Sequence, residues 1–216
     1  MPRPRKYAVT MAALRVAMAL SLAVAVWPAG ARAQASGDDR GERDRIVWMQ
    51  ARFDDGDGPS ALWWYGWLGV GAAIAVGSGV AAALVDDSDV RALLVVGAAQ
   101  GLLGAITQLF FPLPSIWAAD ELRAMPESTP EERAAKRVRA EELLRRSAKA
   151  EAGGVSWLTH LGGLGLAITG GLILWLGYER LDLGLIDFGA TLAVGELSIW
   201  TQPTGAVDDE EEYRAR

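Results

Sequence analysis

Trp157 to Tyr178 reads WLTHLGGLGLAITGGLILWLGY, 22 residues without a formal charge. A helix of that length rises about 33 Å, enough for the ~30 Å hydrocarbon core of a bilayer. Glu179-Arg180-Leu181-Asp182 then makes a tight turn, and Leu183 to Trp200 returns through the apolar zone with Asp187 and Glu196 inside it. Residues 153–203 are therefore expected to form an antiparallel transmembrane hairpin. Its least ordinary members are His160, Asp187 and Glu196.

The rest of the composition agrees with that reading. The 216 residues are 51% hydrophobic, with 25 Gly and 9 Trp, too apolar for an ordinary soluble domain. A mean hydropathy of +0.16 beside 22% charged residues means that charge is segregated along the chain. The net charge of −6 offers no basic surface for nucleic acid. The absence of Cys excludes disulfides, thiolate metal sites and cysteine nucleophiles, and a single His excludes a multi-histidine metal centre. No cofactor and no metal are expected.

Upstream, residues 1–35 have the form of a secretory signal peptide. Arg3, Arg5, Lys6 and Arg15 precede a 12-residue apolar core, Val16 to Trp27, and Ala31-Arg32-Ala33 offers a small-x-small cleavage site. An uncleaved first transmembrane helix is the alternative, and either form sends the next segment out of the cytoplasm. Residues 36–60 are polar and rich in Gly and Asp, and a flexible linker is expected there. Asp54-Asp55-Gly56-Asp57-Gly58 imitates the start of a calcium loop, but the twelfth position holds Tyr65 or Gly66 instead of Glu.

Ala61 to Val85 and Ala92 to Ala119 are two further uncharged runs, of 25 and 28 residues, six residues apart. They predict a first transmembrane hairpin over 61–119. Residues 120–152 carry eight acidic and eight basic side chains. Ser128-Thr129-Pro130-Glu131-Glu132 contains two overlapping capping boxes with Pro at a favoured first helical position. The helix they start is laced with Glu132–Lys136, Glu141–Arg145 and Glu142–Arg146 at i, i+4 spacing. Its few apolar residues, Val138, Leu143 and Leu144, predict a solvated helix with a narrow docking stripe. Residues 204–216 read as an acidic C-terminal tail.

The second hairpin has the look of a diverged copy of the first. Trp67-Leu68 matches Trp157-Leu158, Thr107-Gln108 matches Thr201-Gln202, and Pro112 and Pro203 close the two copies. Both copies then face the same way, related by an axis along the membrane normal. Two unrelated glycine-rich hairpins would give a similar pattern.

In a two-hairpin fold Trp63, Trp64, Trp67, Trp117, Trp157 and Trp200 lie on one side, as an interfacial belt at the headgroup level. Trp175 lies on the other. A secretory start places the belt, the central charged helix and the C-terminus in the periplasm, facing the outer side of the bacterial inner membrane. The positive-inside rule points the other way, because the two short turns carry only Arg91 and Arg180. The signal acts first in insertion, so its orientation is preferred.

Small residues recur every four positions. Gly69, Ala73, Gly77 and Ala81 make one face of the first span, and Gly71, Ala75, Gly79 and Ala83 another. Gly97, Gly101 and Ala105 do the same in the second span, and Gly163, Ala167 and Gly171 in the third. Such glycine-zipper faces favour close helix contact in lipid. They predict a four-helix bundle, with a face left for a second copy or another membrane protein.

Asp187 and Glu196 are nine residues apart, about 180° around a helix, so they cannot share a site. His160 lies one turn from Trp157 and Glu196 about one turn from Trp200, which predicts a His160–Glu196 pair at matched depth. For Asp187 the indole N–H of Trp175, or water, is the expected partner. Gln108 and Gln202 are expected at matching places near an outward-facing mouth. Ionisable groups at membrane depth are candidates for function, and each of these is equally suited to fixing how helices pack.

Thr159-His160-Leu161-Gly162-Gly163 resembles the His-containing helix of rhomboid proteases. Their serine motif has its nearest counterpart in Val76-Gly77-Ser78-Gly79, which lacks the first Gly. Ser78 stands about 16 Å below the belt and His160 about 4.5 Å, so no dyad forms. Gly195-Glu196-Leu197-Ser198-Ile199-Trp200-Thr201-Gln202-Pro203-Thr204, with Ser156-Trp157-Leu158-Thr159-His160, resembles multi-pass envelope proteins of GC-rich deltaproteobacteria. That family has no assigned activity, so the resemblance implies a membrane fold and no chemistry. The expectation is an all-α membrane protein of four transmembrane helices in two hairpins, surrounded by membrane lipids. It is expected to be a non-enzymatic envelope structural or interaction protein. The alternative is a small transport or ligand-binding module around His160, Glu196 and Gln202.

Overall fold

The computed structural model describes residues 29–216. The signal peptide expected over 1–35 lies outside the described residues, except for positions 29–35, which are helical. Residues 29–44 belong to a first unit, and residues 45–216 form a second, compact one. The described residues form seven helices in order: α1 Ala29–Leu84, α2 Ser88–Phe110, α3 Ser115–Ala124, α4 Pro130–Gly154, α5 Trp157–Tyr178, α6 Leu181–Trp200 and α7 Gly205–Ala215. There is no strand among the described residues. The apolar parts of α1, α2, α5 and α6 are long and apolar enough to cross a membrane.

Local chemistry sets the helix ends. Asp87 accepts hydrogen bonds from the N–H groups of Asp89 and Val90 at 2.9 and 3.0 Å, which starts α2 after a three-residue break. Pro112 and Pro114 follow its end, where a proline cannot continue the hydrogen-bond ladder. Of the two capping boxes in the sequence, Thr129 and Glu132 make the one that starts α4. Glu179 ends α5 in the left-handed region at φ 57°, and Arg180 N–H bonds back to the Leu174 carbonyl at 3.1 Å.

Neighbouring apolar helices approach through glycine. A Cβ on Gly101 would stand 2.7 Å from the Ala75 nitrogen and 2.9 Å from the Gly71 oxygen. A Cβ on Gly184 would stand 2.6 Å from the Gly171 oxygen. Partners of rising number on one helix meet falling numbers on the next, so α1 runs antiparallel to α2 and α5 to α6. Near the Asp86 and Arg180 turns, Ala92, Val96 and Leu174 form a small core. Arg180 bridges that end by pairing with Asp89 and, at 2.7 Å, with Asp182.

The remaining helices, α3, α4 and α7, join residues 46–60 of α1 in a cap with a core of its own. Met49 and Phe53 of α1, Ala118, Ala119 and Leu122 of α3, and Ala140, Leu143 and Leu144 of α4 are buried together. The C-terminal helix closes over them. Tyr213 stacks on Trp48 with ring centroids 5.8 Å apart and donates its hydroxyl to Glu141 at 2.6 Å. Arg52 pairs with Asp209 and Glu212 at 3.3 and 2.8 Å.

Three expectations change here. Residues 36–60 are helix, not a linker, because Ile46, Met49 and Phe53 recur on one face and are all buried. Gly56, Gly58 and Pro59 are carried inside that helix. The charged segment is more than a solvated helix with a docking stripe, since Leu143 and Leu144 sit at the centre of a core while Val138 is exposed. Residues 205–215 are a docked helix instead of a tail. Of the three predicted charge pairs, Glu142–Arg146 forms at 2.5 Å, whereas Lys136 takes Glu127 and Glu141 takes Arg137.

Candidate functional site

His160 and Glu196 meet. The His160 Nδ1 lies 2.9 and 3.0 Å from the two carboxylate oxygens of Glu196, joining α5 to α6 one turn from Trp157 and Trp200. Both side chains are about a third exposed. The surrounding tryptophans are anchored at the same level. The indoles of Trp63, Trp64 and Trp67 donate to Ser198 O, Gln108 O and Thr201 Oγ1 at 3.0, 3.0 and 3.2 Å. Trp117, Trp157 and Trp200 project outward.

Asp187 takes Gln100, not Trp175, as its side-chain partner. It is 4% exposed and accepts from the Gln100 amide at 3.0 Å, while Thr191 donates to Gln100 Oε1 at 2.9 Å. Gly170 makes room for this group, because a Cβ there would collide with both Gln100 and Asp187. The network spans α2 and α6 and rests against α5. Gln100 was legible as an amide inside an uncharged run, and its i, i+4 neighbours Val96 and Gly104 gave no hint of a partner.

Gln108 and Gln202 part company. Gln108 lies within α2, where its Nε2 is buried without a hydrogen-bond partner. Gln202 follows the end of α6, packs against Gly154 and donates to the Glu151 carbonyl oxygen at 3.0 Å. Equal sequence offset put one amide inside a helix and the other just beyond one. Gln202, grouped with His160 and Glu196 in the alternative reading, is engaged by the Glu151 carbonyl.

Gln202 leads to a polar centre that sequence reasoning missed. Glu151 of α4 is 2% exposed. Its Oε1 accepts from Ser115 Oγ and its Oε2 from the Ala206 N–H, both at 2.8 Å. Ala206 is in the first turn of α7, so Glu151 satisfies an otherwise free donor at that helix's start. Burial, helped by the nearby Asp209 charge, pushes its carboxyl above the usual range, against the pull of these donors and of the Val207 N–H. The signal lay in the pattern Ala140, Leu144, Ala148, Glu151, which puts an acid on the apolar stripe of α4.

The serine suggested by the rhomboid comparison, Ser78, faces α2, with its Oγ 3.6 Å from where a Cβ on Gly97 would stand. No group of three or more His, Cys, Asp or Glu is placed to hold a metal among the described residues. No family model, curated protein or solved structure matches the chain.

Proposed function

We propose that the chain is a non-catalytic inner-membrane protein of the bacterial envelope, with its four spans in two hairpins, and that copies of it associate in the bilayer. The observation that carries this reading is the unequal use of the two small faces of α1. Gly71 is closed against Gly101 and Ala105, whereas Gly69 and Gly77 are exposed, with nothing within 4 Å of a Cβ placed on either. Apolar burial does not drive helix association in lipid, and small residues let backbones approach closely enough for dispersion to do so. The open face has the small-residue spacing of the face whose Gly71 end is closed against α2. A second copy is its natural occupant.

The polar groups support a structural reading. His160 is engaged by Glu196, and Asp187 by Gln100. The folded state of residues 115–154 also eases the conflict with the positive-inside rule. That rule counts short loops, while domains translocate largely regardless of charge. Arg139 here pairs with Glu121 and Glu142, Arg123 with Asp54 and Asp120, and Lys136 with Glu127. The cap then lies in the periplasm, and the turns at Asp86 and Arg180 in the cytoplasm. The resemblance of residues 195–204 to envelope membrane proteins agrees with this placement.

Since the chain has no Cys, single cysteines give a clean test. Gly77→Cys should form disulfide-linked dimers on mild oxidation in membranes. Gly79→Cys, about 200° away around the helix and equally open, should not. Dimers from both, or from neither, would remove self-association through this face.

A further inference from the structure

Beyond self-association in the bilayer, the cap contains a cavity of about 530 Å³ between α1, α3, α4 and α7. Small-molecule sites commonly fall between roughly 300 and 1,000 Å³. Its floor is partly apolar and enclosed: Phe53, Leu144, Ser60, Ser115 and Glu151 are all buried. Its rim is acidic, with Asp55, Asp208, Asp209 and Glu212.

The charges do not balance. Five carboxylates face the cavity and Arg52 is the single cation among its lining residues. Arg52 is already committed to Asp209 and Glu212 and lies 5.2 Å from the Trp48 ring centroid. Glu151 has three neutral donors, Ser115 and the N–H groups of Ala206 and Val207, and no cationic partner among the described residues. A buried carboxylate is costly unless a positive group compensates it. Ser60 is 1% exposed and lines the cavity, and no described residue hydrogen-bonds its hydroxyl.

We propose that this cavity binds an organic cation with an apolar body. The ammonium head sits against Glu151 and the rim carboxylates, where Ser60 Oγ can accept a hydrogen bond from it. The apolar part lies on Phe53 and Leu144, and the ring of Phe53 offers a further attraction for the cation. Described residues offer no metal cluster, so the neutral donors and apolar floor favour an amine. The head could come from a free amine or from a lipid headgroup, because Pro203 and Thr204 of the lining follow directly on Trp200 of the belt.

Calorimetric titration of the full chain in detergent with phenethylammonium, its neutral analogue phenethyl alcohol and the anion phenylacetate tests this. The ammonium should bind saturably and at least tenfold more tightly than the alcohol, and phenylacetate should not bind. Glu151→Gln should cost tenfold or more in affinity. Because that change also alters the buried contacts of Glu151 with Ser115 and Ala206, the exposed rim pair Asp55→Asn with Asp208→Asn supplies an independent variant. It should weaken binding several-fold while leaving the melting temperature unchanged. Equal binding of ammonium and alcohol, no saturable ammonium binding, or full affinity in both variants would overturn the site. In nanodiscs, loss of phenethylammonium binding when phosphatidylethanolamine replaces phosphatidylglycerol identifies a lipid headgroup. Unchanged affinity identifies a free amine.

Discussion

The cap and the spans of this protein are held together by different means. In the cap, Met49, Phe53, Leu122, Leu143 and Leu144 turn inward, and ion pairs such as Arg139–Glu121 lie outside. In the spans, Leu102, Leu103, Leu158, Leu161, Leu185 and Ile186 are each more than half exposed, while glycines and a few polar pairs turn inward. One chain thus follows two packing rules, and the surrounding solvent decides which. In water, burying large apolar side chains is the driving force. In lipid that force vanishes between helices, leaving close backbone contact and hydrogen bonds.

The sharpest way to break the comparison is to exchange the rules. Leu143→Ala leaves a void in a fully buried aqueous core and should cost about 2–5 kcal/mol. Limited proteolysis should detect it as an opened cap, while the spans stay resistant. Leu161→Ala, on the outward face of α5, should change stability far less. Equal losses at the two sites would mean that the spans too depend on leucine burial.

Glycines should show the reverse order. Gly184→Ala pushes a methyl group to within 2.6 Å of the Gly171 carbonyl oxygen and should cost about 1–3 kcal/mol. Gly163→Ala, with open space around it, should be neutral or slightly stabilising by removing backbone entropy from the unfolded state. Denaturation in mixed detergent micelles would read both. Similar effects at the two positions would mean that the backbone contact is unimportant.

His160 and Glu196 sharpen the membrane side of the comparison. Each single change to Leu should destabilise the bundle, and the double change should cost less than the sum. The coupling should be on the order of 1 kcal/mol, in line with interhelical polar contacts in bilayers. Additive losses would show that the contact contributes nothing.

Much of this was readable beforehand, for identifiable reasons. Matched depth below Trp157 and Trp200 foretold the His160–Glu196 contact, because rise per residue and an interfacial marker set position along a helix. The same argument failed for Asp187, since depth says nothing about which neighbouring helix supplies a donor. Gln100 comes from α2, 87 residues away in sequence. The cap was missed for a different reason. Asp54, Gly56, Gly58 and Pro59 look like a loop, and they masked the Ile46, Met49 and Phe53 stripe, which is only three residues deep. Tertiary burial against α3 and α4 outweighs the weak helix propensity of that stretch.

The smallest effect concerns Glu151. Its carboxyl is held above the usual range by burial, so the native state keeps its proton more tightly than the unfolded chain. Stability should therefore fall as pH rises from the ordinary carboxylate range through that raised value, and then level off. Glu151→Gln should remove this share of the decline, flattening the melting temperature as pH rises above the ordinary carboxylate range. An unchanged slope would show that Glu151 titrates normally.

The central claim is that the cap and the two short turns lie on opposite sides of a membrane crossed four times. Single cysteines at Lys149 and Ser88, both exposed, report the two sides when treated with a membrane-impermeant maleimide in intact cells with a permeabilised outer membrane. The account predicts that Lys149→Cys reacts in those cells and that Ser88→Cys reacts only after the inner membrane is disrupted. Reaction of both in intact cells, or of neither, would contradict a four-span arrangement, and the reversed pattern would contradict the periplasmic cap.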